Sequence, residues 1–196
     1  KEILSLRRYL IHRSANSRED YVDRWIRMVA TNRLTGHSKG FFSVYTMPPN
    51  QAVSIERQKK INQKLNQTPE YRDTRAIILK KSRQLQKGLT EKELALLKKA
   101  SAEALFLEKE ASATPEIADG QIDLTVTSPP FLNVVQHASD NWLRCWFNNI
   151  NTSLVEKKIT MAATLEEWTG TMGAVFIELD RITKPGGWIA FAVGEV

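Results

Sequence analysis

The stretch Ile122-Asp123-Leu124-Thr125-Val126-Thr127 runs straight into Ser128-Pro129-Pro130-Phe131, and its reading decides the fold. Apolar and polar residues alternate through Thr127, the period of a β-strand, and Asp119-Gly120 supplies a turn before it. Two successive prolines fix φ near about −65° and remove two N–H donors, so the strand ends in a stiff turn. Downstream, an amphipathic pattern runs from about Asn141 and a second from about Thr164 to Ile182. Lys184-Pro185-Gly186-Gly187 then turns into Trp188-Ile-Ala-Phe-Ala-Val, whose near-continuous apolar run suits a buried strand. Strand, helix, helix, strand is the pattern of one side of a doubly wound, Rossmann-like α/β sheet.

Upstream of this α/β part (residues 114–196) lies a stretch, 51–113, that reads as helical almost throughout, with breaks at Thr68-Pro69 and Gly88. Residues 51–100 hold 13 Lys and Arg against five Asp and Glu, a local charge of +8 that exceeds the +6 of the whole chain. Thr90-Glu-Lys-Glu opens a helix with a capping-box pattern, and Leu94, Leu97, Ala104, Leu105 and Leu107 give it an apolar face expected to pack on a neighbour. In residues 1–50, the segment from Asp20 to Ala30 spaces Tyr21, Trp25, Met28 and Val29 at helical intervals, and Ser17 with Asp20 resembles a capping box. That helix stops near Gly36, and Gly40–Asn50 reads as a short strand or extended segment ended by Pro48-Pro49. The organisation expected is therefore an N-terminal part, a basic helical insertion and an α/β half, with no internal repeat.

The 196 residues, 42% of them hydrophobic, suffice for one domain or a domain core with an insertion. No apolar run approaches the roughly 18 to 20 residues of a membrane span and no basic-then-apolar leader is present, so a soluble cytoplasmic protein is expected. Cys145 is the sole cysteine and cannot form an internal disulfide. With only His12, His37 and His137 beside it, no zinc-ligand spacing exists and no metal is expected. A pI near 9.5 admits a polyanionic partner and admits plain solubility. Lys59, Lys60, Lys80, Lys81 and Arg83 are the candidates for phosphate contact, set against the equal reading of a solvated helical face.

In open α/β sheets ligands bind just beyond the carboxyl ends of the strands, which is where Ser128-Pro129-Pro130-Phe131 lies. Carbonyl oxygens of such a proline turn can accept hydrogen bonds from a substrate amine. An exocyclic amine of a nucleic-acid base is a poor nucleophile, because its lone pair is delocalised into the ring. Accepting one amine hydrogen at the Ser128 side chain and the other at a proline-loop carbonyl favours a tetrahedral nitrogen, free to attack a sulfonium methyl in line. Phe131 would stack on the base, which must be flipped out of a duplex to reach such a pocket.

Residues 123–131 resemble the catalytic motif of amino-directed (cytosine-N4 and adenine-N6) DNA methyltransferases, and Leu179-Asp-Arg-Ile-Thr-Lys-Pro-Gly-Gly-Trp-Ile-Ala resembles the helix–turn–strand that follows in the same domain. Phe131-Leu-Asn-Val-Val and Asp140-Asn-Trp-Leu-Arg-Cys-Trp-Phe resemble the bridging segment of a bacterial group of DNA methylases, as do Asp23–Ser38 and Tyr45–Ala52 in the N-terminal part. The resemblance implies S-adenosylmethionine as cofactor, DNA as partner, and Ser128, Pro129, Pro130 and Phe131 as the catalytic loop. A serine before the prolines is the form frequent among cytosine-N4 enzymes, which sets cytosine N4 ahead of adenine N6. RNA or a protein glutamine amide is the alternative substrate, and a non-catalytic nucleic-acid-binding or assembly role is the alternative class.

One departure stands out. The family binds its cofactor through a loop such as Phe-x-Gly-x-Gly, and none of the nine glycines here forms Gly-x-Gly. Gly170-Thr-Met-Gly173 falls inside a predicted helix. The chain is therefore expected to be a fragment or one half of a split enzyme, also because it starts without Met and ends on a strand, and to bind cofactor weakly or not at all. The cofactor-binding residues stay unassigned.

Several residues near the loop have a plain reading beside the functional one. Asn133, His137, Asp140 and Asn141 can line a base pocket or touch the sugar-phosphate, whereas helix capping is the simpler account of Asp140. His137 reads as a surface or pocket-wall residue rather than a general base. Trp142 and Trp146, at i and i+4, read as core, and Cys145 as a small buried hydrophobe.

Overall fold

The computed structural model describes residues 1–36, 38–43, 53–68, 70–129, 137–159 and 162–192. In chain order these form α1 (Glu2–Ala15), α2 (Tyr21–Asn32), α3 (Ile55–Lys64), α4 (Thr74–Gln86), α5 (Glu91–Glu103), β1 (Ile122–Thr127), α6 (His137–Phe147), α7 (Thr152–Glu156), α8 (Leu165–Ile182) and β2 (Thr183–Phe191). The structure is 55% helical, with one parallel strand pair among the described residues, so it is mixed α/β. It divides into two compact units, residues 1–94 with 136–158, and residues 95–135 with 159–196.

The first unit is helical, and its core joins residues from four helices. Leu10 of α1, Val29 and Ala30 of α2, Ile78 of α4 and Phe147 of α6 are buried together with Leu34. Leu10, Val29 and Phe147 are fully enclosed, and each such side chain contributes about 1.5–3 kcal/mol through removal from water. α2 starts at Asp20, whose carboxylate accepts from the backbone N–H of Val22 and Asp23, both at 2.9 Å. Asp23 completes the capping box by accepting from Asp20 N at 3.1 Å. The cap is thus Asp20 with Asp23 rather than Ser17 with Asp20, because Ser17 is spent on the left-handed turn after α1 (φ 53°). The buried face of α2 is also turned from the one expected: Tyr21 and Met28 are exposed, and Ile26 and Ala30 join Trp25 and Val29 facing inward.

Polar contacts set how the helices meet. Trp25 Nε1 donates to Ser82 Oγ at 2.9 Å, tying α2 to α4. Glu2 of α1 accepts from Thr74 N at 2.9 Å and from the Tyr71 hydroxyl at 2.6 Å, so α1 caps α4. Arg7 donates to the Trp146 carbonyl at 2.7 Å and stacks 4.6 Å from the Trp146 ring. Between α2 and α3 the chain doubles back: Phe42 N donates to Arg33 O (2.8 Å) and Ser43 N to Leu34 O (3.1 Å). Gly36 is needed there, because a Cβ would fall 2.5 Å from the Phe41 ring that lies over Arg33. Of the extended segment expected over residues 40–50, the bridge Thr35–Ser43 is present and residues 44–50 lie outside the described residues.

α5 carries the expected capping box, with Thr90 N donating to Glu93 at 2.7 Å and Glu93 N to Thr90 Oγ1 at 3.3 Å. Its expected packing is not seen: no residue of α5 is buried, Leu94, Leu96 and Leu97 are exposed, and the helix ends at Glu103, before Ala104, Leu105 and Leu107.

In the second unit β1 and β2 run parallel, with Leu124 opposite Trp188, Thr125 opposite Ile189, Val126 opposite Ala190 and Thr127 opposite Phe191. Strand alternation puts Thr125, Thr127, Ile189 and Phe191 on one face, and Phe191 meets Phe176 of α8 with ring centroids 4.9 Å apart. The opposite face holds Leu124, Val126 and Trp188, which are 57%, 72% and 75% exposed, so the expectation of a strand buried on both sides is not met for β2. Ile122 pairs with Thr183 but Leu124 with Trp188, and Lys184–Gly187 form a bulge inside β2 rather than a turn before it. Gly186 takes φ +81° there, and a Cβ on Gly187 would lie 3.0 Å from Lys184 O and 3.1 Å from Asp123 O.

Candidate functional site: the end of strand β1

The backbone of Thr127 is held by Ala192 N, which donates to its carbonyl at 2.9 Å. The next residue, Ser128, therefore leaves the sheet at the carboxyl end of β1, the place where α/β sheets hold ligands. Ser128 is exposed and Pro129 half-buried. Among the described residues nothing hydrogen-bonds the Ser128 hydroxyl. It can accept one hydrogen bond and donate another. Pro130, Phe131 and Asn133 lie outside the described residues, as does the side chain of His137.

What fixes β1 in place lies in the helix behind it. Glu178 of α8, itself buried, accepts from Thr114 N at 2.7 Å and from Thr114 Oγ1 at 2.6 Å. Arg181, one turn on, donates to the carbonyls of Ile117 (3.0 Å) and Thr114 (3.1 Å), to Asp119, and to both oxygens of Glu178. Gly120 N donates to Arg181 O at 2.8 Å. The whole approach to β1, residues 114–120, is thus clamped onto the last turn of α8. At the strand itself Lys184 Nζ binds the Asp123 carboxylate at 2.7 Å.

The electrostatics follow from these contacts. The Arg181 guanidinium and then the two Thr114 donors hold the Glu178 carboxyl far below the usual carboxylate range, and Glu178 with Asp119 raises Arg181. Such a carboxylate stays ionised at any working pH, so it serves as a strut and not as a proton carrier. Sequence reading passed over this pair. Its signal was an acid and an arginine three residues apart in the last turn of a helix leading to Lys-Pro-Gly-Gly.

The remaining candidates lie in the first unit. Lys59 and Lys60 sit on α3, and Lys80, Lys81 and Arg83 on α4; all are exposed except the half-buried Lys81, which donates to Gln84 at 3.2 Å. None forms a salt bridge among the described residues. Asp140 lies in the first turn of α6 and is not its N-cap, because the helix begins three residues earlier, at His137. Asn141 accepts from Arg144 at 2.8 Å. Trp146 packs on the core, Trp142 lines a cavity, and Cys145 is half-buried. Among the described residues no three His, Cys, Asp or Glu side chains gather to hold a metal ion, and no helix is long and apolar enough to cross a membrane.

Comparison with protein-family models, with curated proteins and with solved structures gives no match for this chain.

Proposed function

We propose that this chain carries the base-holding loop of an S-adenosylmethionine-dependent amino-methyltransferase that acts on DNA, with cytosine N4 ahead of adenine N6. The observation that carries the reading is Ser128, exposed and unpartnered among the described residues at the carboxyl end of a parallel strand and followed by Pro129. Ser128 Oγ and the Pro129 carbonyl would accept the two hydrogens of the target amine, and Pro130 and Phe131 would complete the loop against the flipped base. The strut of Glu178 and Arg181 would hold that acceptor pair at a fixed height above the sheet. In the finer architecture, β1 and β2 are two strands of a doubly wound sheet, and the basic helices of residues 51–113 track the phosphates.

Among the described residues no glycine-built cradle for the cofactor is present. A nucleotide cradle needs glycines just past the carboxyl end of a strand, where backbone can approach the ligand closely. Among the described residues the glycines with positive φ are Gly88 between α4 and α5, Gly120 before β1 and Gly186 in the β2 bulge, and Gly194, after β2, lies outside the described residues. Gly170 and Gly173 are helical in α8. Because no Gly-x-Gly occurs in the sequence, the cofactor is assigned in this reading to a separate cofactor-binding half of the same enzyme. Calorimetric titration of the chain with S-adenosylmethionine is expected to show no saturable binding.

The test is transfer of labelled methyl from S-adenosylmethionine by the chain joined to that half, offered duplex DNA, RNA and a glutamine-bearing protein in competition. Label in DNA is expected. Label in RNA or protein instead would make the chain an amino-methyltransferase of the other substrate. Label in none, with DNA still bound, would leave a nucleic-acid-binding or assembly role.

A further inference from the structure

A second feature, wholly within the first unit, is a cavity of about 240 Å³ beneath α3. Ile55, Gln58, Lys59 and Asn62 line it, and their spacing of i, i+3, i+4 and i+7 makes them one face of that helix. A helix face turned toward its own protein is ordinarily apolar, yet three of these four residues are polar and no residue of α3 is buried. Trp142 and Leu143 of α6 form the apolar side opposite them. The apolar Val53 and the hydroxyl residues Thr35 and Ser43, the latter two bridged to each other by the fold-back at Gly36, complete the rim.

The amides are ordered by one another. Gln58 Nε2 donates to Asn62 Oδ1 at 2.9 Å and Gln67 Nε2 donates to the same oxygen at 3.0 Å. Asn62 Oδ1 is thereby used twice, while Asn62 Nδ2 and Gln58 Oε1 have no partner among the described residues. A donor and an acceptor thus stand side by side on adjacent turns of one helix, in a part-buried wall that faces an indole. Both atoms are open to solvent rather than buried without partners, so a ligand can pair with them by displacing water.

We propose that this cavity binds a nucleobase that carries an exocyclic amine beside an unprotonated ring nitrogen, adenine or cytosine, as part of a nucleotide. The amine donates to Gln58 Oε1, the ring nitrogen accepts from Asn62 Nδ2, and the ring lies on Trp142. The match is the donor–acceptor pairing by which side-chain amides read adenine, with the sequence-tolerant stacking of bases on aromatic side chains. Lys59, exposed at the same face, takes the phosphate. A cavity just under the roughly 300 Å³ of the smallest drug-sized pockets suits a single base rather than a dinucleotide. The assignment does not involve Ser128 or a methyl group, so it stands or falls apart from the proposed methyl transfer.

The experiment is a titration of the chain followed by NMR or calorimetry, with adenosine, inosine, AMP, CMP, UMP and single-stranded oligo-dA and oligo-dT as the probes. AMP and CMP are expected to bind saturably, with UMP and inosine weaker than their amino counterparts by about tenfold, since inosine presents the reverse donor–acceptor order. Asn62→Asp keeps the oxygen that Gln58 and Gln67 need while removing the donor, and is expected to lose about tenfold for adenosine with an unchanged circular dichroism spectrum. Lys59→Gln is expected to weaken AMP but not adenosine, and Trp142→Phe to retain binding that Trp142→Ala loses. Binding of oligo-dA tighter than that of both AMP and oligo-dT assigns the pocket to a strand, and oligo-dA bound no more tightly than AMP assigns it to the free nucleotide; both support the proposal, whereas oligo-dT bound as tightly as oligo-dA with no saturation by AMP reports phosphate contact alone and overturns it. No saturation by any probe into the millimolar range, or inosine bound as well as adenosine, overturns it.

Discussion

Two glycine-to-alanine changes in the second unit should have opposite signs, and their sizes can be worked from the structure. At Gly187 an added Cβ would fall 2.7 Å from Thr183 Cγ2, 3.0 Å from Lys184 O and 3.1 Å from Asp123 O. Two of those three neighbours are backbone carbonyls, one on the partner strand, so relief requires β1 and β2 to part at the bulge. Overpacking of this kind costs about 1–3 kcal/mol. At Gly170, inside α8, a Cβ meets nothing within 4 Å, so alanine adds helix propensity and stabilises by about 0.8–1 kcal/mol. With a urea m-value of about 2 kcal/mol/M, Gly187→Ala should lower the unfolding midpoint by about 0.5–1.5 M and Gly170→Ala should raise it by about 0.4–0.5 M. Urea titration followed by far-ultraviolet circular dichroism measures both. A Gly187→Ala midpoint at or above wild type would refute the close approach of the strands, and a loss at Gly170 would refute the open surface on that side of α8.

Other outcomes follow from the same structure. Phe147→Ala removes a ring with no exposed surface and should cost about 3–5 kcal/mol by denaturant titration. Asp20→Ala deletes the N-cap of α2 and should cost about 0.5–2 kcal/mol in the same assay. The Glu178 carboxyl is held below its ordinary value, so its contribution is fully present above the ordinary carboxylate range and is lost as pH falls below it. Glu178→Gln should accordingly lower stability at neutral pH and flatten the decline between neutral and strongly acidic pH; an unchanged acid profile would contradict the strut. DNA affinity should fall steeply with salt, and replacing Lys59 or Lys80 by Gln should each reduce the slope of log K on log salt by about 0.9 for every phosphate the lysine neutralises; affinity insensitive to salt would remove these helices from the interface.

What the sequence made legible was local. The alternation over Ile122–Thr127, the capping pattern at Thr90 and the breaks at Thr68-Pro69 and Gly88 each rest on neighbours within a few residues, and the elements stand where those signals put them. Boundaries that depend on competition between nearby caps were harder. Ser17 and Asp20 both suit a cap, and only the left-handed turn at Ser17 frees Asp20 for the role. The bulge at Lys184–Gly187 was hidden because Pro-Gly-Gly reads as a turn, while the strand pairing passes through it. The apolar runs of α5 and β2 predicted burial, but composition does not tell which surface covers them, and Leu97 and Trp188 are exposed here. At the candidate site, Ser128 was visible as the end of a strand. The clamp of Glu178 and Arg181 on residues 114–120 joins positions more than sixty apart, which no local pattern encodes.

The central claim is that Ser128 holds the amine of a DNA base for methylation. Its most direct measurement is nucleoside mass spectrometry of duplex DNA treated with the chain, the cofactor-binding half and labelled S-adenosylmethionine, beside the same mixture carrying Ser128→Ala. The account predicts labelled N4-methylcytosine, or N6-methyladenine in second place, from the wild-type chain and a loss of about a hundredfold or more from the variant. Label that appears equally with Ser128→Ala, or on carbon rather than on an exocyclic nitrogen, would contradict it.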